Sequence, residues 1–492
     1  APASGTPAGP KIGCADLRSL TGYDFTVATA VLVPASSEAP EHCRVSGQIP
    51  LEVRFEVDLP TAWNRRFYMT GNGGYAGEQF DQRGRIATRF RAVQRGFAWA
   101  GTDTGHDSTM EPLGTFAVNR QKLYDYAFRS LHVTAVTAKQ LIAAYYGMPQ
   151  EKSYFEGCST GGRQALILAQ RFPDDFDGII VGAPVLNFSG TMVRYACTAQ
   201  ALAAAPIPPS KLPLLADKIY KKCDAVDGLA DGVIDDPRRC NFQPAQDLPV
   251  CSGETNGDDC FTKAQIGTLE KIYGDVMGGG KRLFPGWPVG AEIVGGAGRP
   301  GWDPWIVTQQ PKSIGFTFGE TFFQYLASPE KNSKMTLLNF DFDKDPARLE
   351  WIHEILDATD TDLTRFKNRG GRIIMYYGWA DPALNPRMGV EYYEGVQKKI
   401  GPQTDAFFRL FMVPGMFHCG DGVGTSTFDM LGPLIGWVER GSAPDSIRAA
   451  RVANGRPNRT RPLCPYPQVA KYKGTGSIDE AASFTCAAPP TM

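Results

Sequence analysis

No apolar run in the chain approaches the ~18 residues that a membrane-crossing helix needs, so a transmembrane helix is excluded on length. An excess of one charge is also missing. The chain has 51 Lys and Arg against 52 Asp and Glu, a net charge of −1. That balance leaves no electrostatic footprint for nucleic acid or an anionic membrane. No two cysteines are spaced Cys-x-x-Cys, which disfavours a zinc site or a thioredoxin-like motif. There is no internal repeat, and no low-complexity tract beyond the first ten residues. Histidine is scarce, with five in the whole chain. The opening APASGTPAGP shows neither an initiating Met nor a basic-then-apolar leader. We therefore expect a removed signal peptide or a late start.

The chain has 492 residues. At ~150 residues per domain this gives two to three domains, or one large α/β domain carrying an insertion. The composition, 42% hydrophobic and 21% charged, is that of an ordinary globular protein. With 54 glycines and 37 prolines, the surface should be rich in loops. Eleven cysteines include four locally spaced pairs: Cys14 with Cys43, Cys223 with Cys240, Cys251 with Cys260, and Cys464 with Cys486. Such spacing reads as a disulfide framework made in an oxidising compartment, so the expected location is secreted or periplasmic. An odd count leaves one thiol unpaired.

Residues 44–102 read as strand-rich. Leu51 to Leu59 alternates apolar and polar residues, Arg66 to Thr70 runs into Gly71-Asn72-Gly73-Gly74, and Phe97 to Thr102 is a further apolar run. From Tyr124 to Tyr146, apolar residues recur at helical spacing. A strand then leads into Gly157-Cys158-Ser159-Thr160-Gly161-Gly162, a helix follows, and Asp177 to Pro184 supplies another buried strand. Strands alternating with helices predict a mostly parallel sheet covered by helices. The pattern resumes with strands at Arg372 to Tyr377 and Phe407 to Val413 and a helix at Phe428 to Glu439. Between 188 and 366 the chain changes character, with five cysteines, an acidic loop and many aromatics. The predicted architecture is an α/β core of residues 1–187 and 367–492, with an inserted lid domain at 188–366 over the sheet's carboxyl edge.

Gly157 to Gly161 matches G-x-S-x-G. A glycine-rich βα turn is the plain alternative, but a strand before and a helix after are what a nucleophile elbow requires. A serine hydroxyl needs a base to attack at neutral pH. In the α/β-hydrolase order of serine, acid and histidine, the base follows Ser159, which leaves His353 and His418. His353 sits in the helical stretch Trp351 to Leu356, as a surface or lid histidine would. His418 lies in a loop just after a strand and is the expected base. Asp381, in Gly378-Trp379-Ala380-Asp381-Pro382, is the expected acid. Its role is to hold the imidazole tautomer and stabilise the imidazolium. An oxyanion needs two fixed N–H donors. The expected donors are Thr160, next to the nucleophile, and Gly74 in the glycine loop, with Gly73 close behind.

Asp224, Asp227, Asp231 and Asp235 fall within twelve residues, interleaved with glycines and flanked by Cys223 and Cys240. Four crowded acids repel without a counter-ion, and hard oxygen ligands on a loop suit Ca2+. The spacing is not that of an EF-hand, and a solvated acidic loop is the plain alternative.

Together these residues resemble the tannase and feruloyl esterase family of α/β-hydrolases. The marks are a Cys immediately before the nucleophile (Cys158-Ser159) and another immediately after the base (His418-Cys419). Trp63 to Phe67, the acidic loop and Arg461 to Pro467 extend the resemblance along most of the chain. It implies a disulfide between Cys158 and Cys419, which leaves Cys197 as the odd thiol. It also implies structural calcium held by the Asp224, Asp227 and Asp231 carboxylates with the Leu229 and Val233 carbonyls. The implied activity is hydrolysis of small aromatic acid esters through an acyl-enzyme. Rivals are a serine peptidase, a non-catalytic binding protein on a hydrolase scaffold, and a disulfide-rich adhesion module. Intact triad positions count against the last two.

The resemblance offers three acyl classes: gallate, hydroxycinnamates such as ferulate, and the terephthalate monoester. A distal carboxylate needs a cation, which the resemblance places on the lid as an arginine. Here the stretch from Ala327 to Phe340 holds Lys331 and Lys334 and no arginine, and lysine is a poorer bidentate partner. Feruloyl-type esters are therefore expected first and galloyl esters next. Phe316, Phe318, Phe322 and Phe323 could line the acyl pocket or form the lid's own core.

Overall fold

A computed structural model describes residues 7–252, 257–293, 301–328 and 334–489. The chain divides into two compact units, one of Ala1–Gly182 with Asp362–Ile373, the other of Ala183–Thr361 with Ile374–Met492.

In the first unit a sheet runs in the order β1-β2-β3-β5-β4-β6-β7. The strands are β1 (Thr26–Val33), β2 (His42–Ile49), β3 (Val53–Pro60), β4 (Arg66–Thr70), β5 (Ala98–Thr102), β6 (Lys152–Cys158) and β7 (Gly178–Gly182). β1, β2, β3 and β5 pair antiparallel, whereas β5, β4, β6 and β7 pair parallel. The two halves differ in burial as their sequences require. β1 is exposed at five of eight positions, while β4, β5 and β7 are buried throughout, as expected of parallel strands covered by helices. One covering helix, Ser130–Tyr146, buries Leu131, Ala135, Ala138, Leu141 and Ile142, the stripe read from the sequence, and stops at Gly147 in the left-handed region (φ 67°). A helical turn of the wider i→i+5 type, Asp125–Arg129, precedes it. The helix Thr160–Arg171 follows β6 directly and is buried over ten of its twelve residues.

The second unit opens with the helix Phe188–Ala204 and continues through Leu212–Cys223 and Lys263–Tyr273, the hairpin β8 (Val276–Gly278) with β9 (Lys281–Phe284), and the helices Ile314–Thr321 and Glu350–Leu356. Phe322 and Phe323 lie in its core: ring centroids are 6.0 Å apart for Phe188 and Phe322, 5.3 Å for Phe322 and Phe323, and 5.2 Å for Phe323 and Phe340. Burying each such ring stabilises the fold by about 1.5–3 kcal/mol. Phe316 and Phe318 remain half-buried. β10 (Arg372–Gly378) begins in the first unit, where the Arg372 N–H donates to the Asp177 carbonyl at 3.0 Å. It ends in the second, where its Tyr376 carbonyl accepts from Ala183 at 2.8 Å. β11 (Phe408–Val413) and the helix Leu431–Arg440 follow, then two hairpins, β12 (Ile447–Ala453) with β13 (Arg456–Leu463) and β14 (Val469–Tyr472) with β15 (Phe484–Ala487).

The four local cysteine pairs are bonded as their spacing suggests: Cys14–Cys43, Cys223–Cys240, Cys251–Cys260 and Cys464–Cys486. Cys158 and Cys419 are also disulfide-bonded, and Cys197 is the free thiol among the described residues. No helix among those residues is long and apolar enough to cross a membrane.

Candidate active site

In the first unit, Ser159 stands between β6 and the helix Thr160–Arg171 with φ 64° and ψ −122°, an uncommon conformation for a residue with a Cβ. The flanking glycines make that turn possible. A Cβ on Gly157 would collide with the Gly161 backbone, and one on Gly161 would come within 3.1 Å of the Asn72 carbonyl. This is the sharp strand-to-helix turn of a nucleophile elbow. The glycine loop is tied to the same helix. Asn72 N–H donates to Gln164 Oε1 at 2.9 Å, the Thr160 hydroxyl donates to the Gly74 carbonyl, and the Tyr126 hydroxyl donates to the same carbonyl at 3.1 Å. Fully buried Arg163 fixes the stretch behind Tyr126 by donating to the Ala127 and Tyr126 carbonyls at 2.9 and 3.2 Å.

The two expected oxyanion donors differ from their neighbour in one respect. Gly73 N–H is engaged by Glu78 Oε1 at 3.2 Å. The Gly74 and Thr160 amides make no hydrogen bond among the described residues. Gly74, at φ 50°, turns the chain where a side chain would be strained. An oxyanion hole needs uncommitted donors, so the geometry separates Gly74 from Gly73 where the sequence left them adjacent choices.

In the second unit, His418 Nδ1–H donates to Asp381 Oδ2 at 2.8 Å. The other carboxylate oxygen, Oδ1, accepts the amides of Ala383 at 2.8 Å and Leu384 at 2.9 Å. Asp381 is thus buried with its acceptors filled, and it leaves His418 Nε2 as the nitrogen that can take a proton. Trp305 packs edge-on against the imidazole, with centroids 5.6 Å apart, and lies parallel to Phe318 at 6.4 Å. Tyr195, buried, donates its hydroxyl to the Ala383 carbonyl at 2.6 Å. In the sequence Trp305 is one of the many aromatics between 188 and 366, and Tyr195 is one residue of a largely apolar stretch. No motif marks either. His353, the rejected base, does hold a carboxylate, with Nδ1 2.7 Å from Asp357 Oδ2, but on its own helix and with Ser189 bonded to the acid rather than to the imidazole.

The acidic loop is closed largely by its own amides. Asp224 accepts from Asp231, Gly232 and Val233 at 3.0–3.3 Å, and Asp227 accepts from Leu229 at 2.9 Å. Asp231 Oδ2 accepts from Arg461 at 2.7 Å. Burial, and then the neighbouring acids, push the Asp227 carboxyl up and that of Asp235 to about 7. Among the described residues no three His, Cys, Asp or Glu side chains converge as a metal-holding group. The donor chemistry of the loop nonetheless suits a hard cation. Of the two lysines expected on the lid, Lys334 is exposed, and Lys331 lies outside the described residues.

The family model "Tannase and feruloyl esterase" matches residues 37–487. The chain belongs to the tannase and feruloyl esterase family. It is 36% identical to mono(2-hydroxyethyl) terephthalate hydrolase of Piscinibacter sakaiensis over 93% of this chain and 87% of that protein. It is 32% identical to feruloyl esterase B of Aspergillus niger over 90% and 86%. The crystal structure of feruloyl esterase B from Aspergillus oryzae superposes with a TM-score of 0.85 at 26% identity, covering 96% of this chain and 99% of that one. Membership establishes an α/β-hydrolase fold and a carboxylic-ester hydrolase acting on small-molecule esters.

Proposed function

We propose that the protein is a secreted or periplasmic serine esterase for aromatic acid esters of the feruloyl type, with galloyl esters next. Ser159 is the nucleophile, His418 its general base and then acid, and Asp381 the group that fixes the imidazole. In the first half-reaction His418 Nε2 takes the Ser159 proton as Oγ adds to the ester carbonyl, and the Thr160 and Gly74 amides receive the oxyanion. The proton then passes to the departing alcohol. Water, deprotonated by the same imidazole, releases the acid from the acyl-serine. A Cys158–Cys419 bond would restrict the nucleophile loop against the histidine loop, and such positioning is worth several kcal/mol of barrier, on the order of tenfold per 1.4 kcal/mol.

The observation that carries an aromatic acyl group is the Trp305–Phe318 pair beside His418, since aromatic walls favour flat rings. The bonded cysteines support an oxidising compartment. The 327–340 stretch offers lysine in place of arginine, which disfavours a second carboxylate on the acyl group. A terephthalate-monoester hydrolase is the second reading, favoured by identity to the Piscinibacter enzyme. The test is kcat/KM on methyl ferulate, methyl gallate and the terephthalate monoester. Ferulate should lead. A terephthalate preference of tenfold or more, about 1.4 kcal/mol at the transition state, overturns this reading of the lid.

We further propose structural calcium on the acidic loop, through the Asp224, Asp227 and Asp231 carboxylates and the Leu229 and Val233 carbonyls. The ion would neutralise crowded acids, and its binding would add to stability. Dialysis against EDTA should lower the melting temperature, with calcium restoring it. An unchanged melting temperature, with no calcium by elemental analysis, disposes of the site.

A further inference from the structure

The second unit holds a cavity of about 280 Å3 that none of Ser159, Asp381 and His418 lines. That is nearly twice the ~150 Å3 that accommodates benzene in an engineered protein core, and close to the lower bound of ordinary ligand pockets. Four aromatic side chains, Tyr195, Trp287, Trp305 and Phe316, line it together with aliphatic and small residues. Trp287 is 3% exposed, and its indole N–H is buried without an acceptor among the described residues.

Among the described residues lining the cavity, Lys312 is the sole charged side chain. Lys312 sits 5.4 Å over the Phe316 ring, so the ammonium and an aromatic wall are already adjacent, and its salt bridge to Glu320 is solvent-exposed and weakly held. Beside it, Ser313 caps the helix Ile314–Thr321, with its hydroxyl accepting from Phe316 N–H at 3.2 Å. Ser313 and Gly315 both line the cavity, so the positive end of that helix opens on it. Flat apolar walls, an ammonium shared with the exposed Glu320 carboxylate, and a helix N-terminus together favour a flat ring bearing an anionic group.

We propose that this cavity is a second binding site, separate from the catalytic serine, for an aromatic monocarboxylate. The ring lies among Trp305, Phe316 and Tyr195, and the carboxylate meets Lys312 and the helix end. Two of these walls back the acid–base pair. Trp305 packs on His418, and Tyr195 holds the Ala383 carbonyl, whose residue's amide binds Asp381. A bound acid would therefore alter turnover by contact. That consequence rests on the triad proposed above; the binding does not.

The experiment blocks Ser159 with diethyl p-nitrophenyl phosphate and titrates the blocked protein with ferulate and with neutral coniferyl alcohol by calorimetry. The expected result is one equivalent of ferulate bound, at least tenfold weaker in Lys312→Gln with the alcohol unaffected, and abolished in Leu202→Trp, which fills the cavity because Leu202 lines it. If Leu202→Trp does not fold, the surface variant Lys312→Gln decides. No ferulate binding to the blocked protein, equal binding of acid and alcohol, or binding unchanged in Lys312→Gln overturns the proposal. Failure of the phosphate ester to label Ser159 would count against the triad alone. The cavity is then read from loss of one equivalent of ferulate in Leu202→Trp and weakening in Lys312→Gln.

Discussion

His418 and His353 both bind a carboxylate through Nδ1, at 2.8 and 2.7 Å, so a hydrogen-bonded acid does not by itself identify a catalytic base. Their surroundings separate them. His418 is in a loop with an acid whose other oxygen is filled by two amides. His353 is in a helix, four residues from its acid. His418→Ala should therefore lower kcat by on the order of 10^4-fold or more, because triad members act as a unit, whereas His353→Ala should stay near wild type. The converse result in ester-hydrolysis assays would reverse the assignment. His353 also makes a prediction about stability. Its hydrogen bond to Asp357 raises its pKa above the ordinary 6.5. A raised histidine pKa stabilises the fold fully below 6.5 and loses that contribution as pH climbs through the folded value. His353→Gln should thus lower the melting temperature more at pH 5.5 than at pH 8.5. An equal loss at both pH values would show that protonation is not involved. At this scale the sequence was informative wherever chemistry restricts residue type and spacing, as in G-x-S-x-G. That Glu78 occupies the Gly73 amide, five residues away in the chain, had no signal in the sequence.

Elements carry the acid to its place. The turn after β10 presents Asp381, and the helix Phe188–Ala204 reaches that turn through Tyr195, 188 residues distant in sequence from Ala383. Tyr195→Phe removes the hydroxyl and leaves a buried carbonyl short of a donor, a cost of about 1–3 kcal/mol. We expect a lower melting temperature and a fall in kcat of about tenfold with KM little changed, because the turn loosens while the substrate's walls stay. A raised KM with unaltered kcat would place Tyr195 at the substrate instead. Such a contact has no local signal, since a tyrosine among apolar helix residues reads as core. The strands and helices around the elbow were legible because burial on both faces leaves continuous apolar runs. β1 escaped notice because it is exposed at five of eight positions, and the paired hairpins after residue 447 because they are short and polar.

For the molecule as a whole, the cysteines gave four pairings, and their spacing was a sound guide because each closes a local loop. The Cys14–Cys43 bond closes 29 residues, for which chain entropy suggests about 3–4 kcal/mol. Cys14→Ala with Cys43→Ala should therefore lower the melting temperature by several degrees, read by calorimetry without reductant. A change within error would mean that packing alone holds the N-terminal segment. Residues 374–492 group with Ala183–Thr361, a partition set by long-range packing rather than by composition.

The central claim is that Ser159 carries the acyl group. The direct measurement is acid quench of the protein during turnover of p-nitrophenyl ferulate, followed by peptide mass spectrometry. The account predicts one feruloyl group on the peptide holding Ser159, and neither adduct nor turnover in Ser159→Ala. Undiminished hydrolysis by Ser159→Ala, or a feruloyl group carried on another residue, would contradict it.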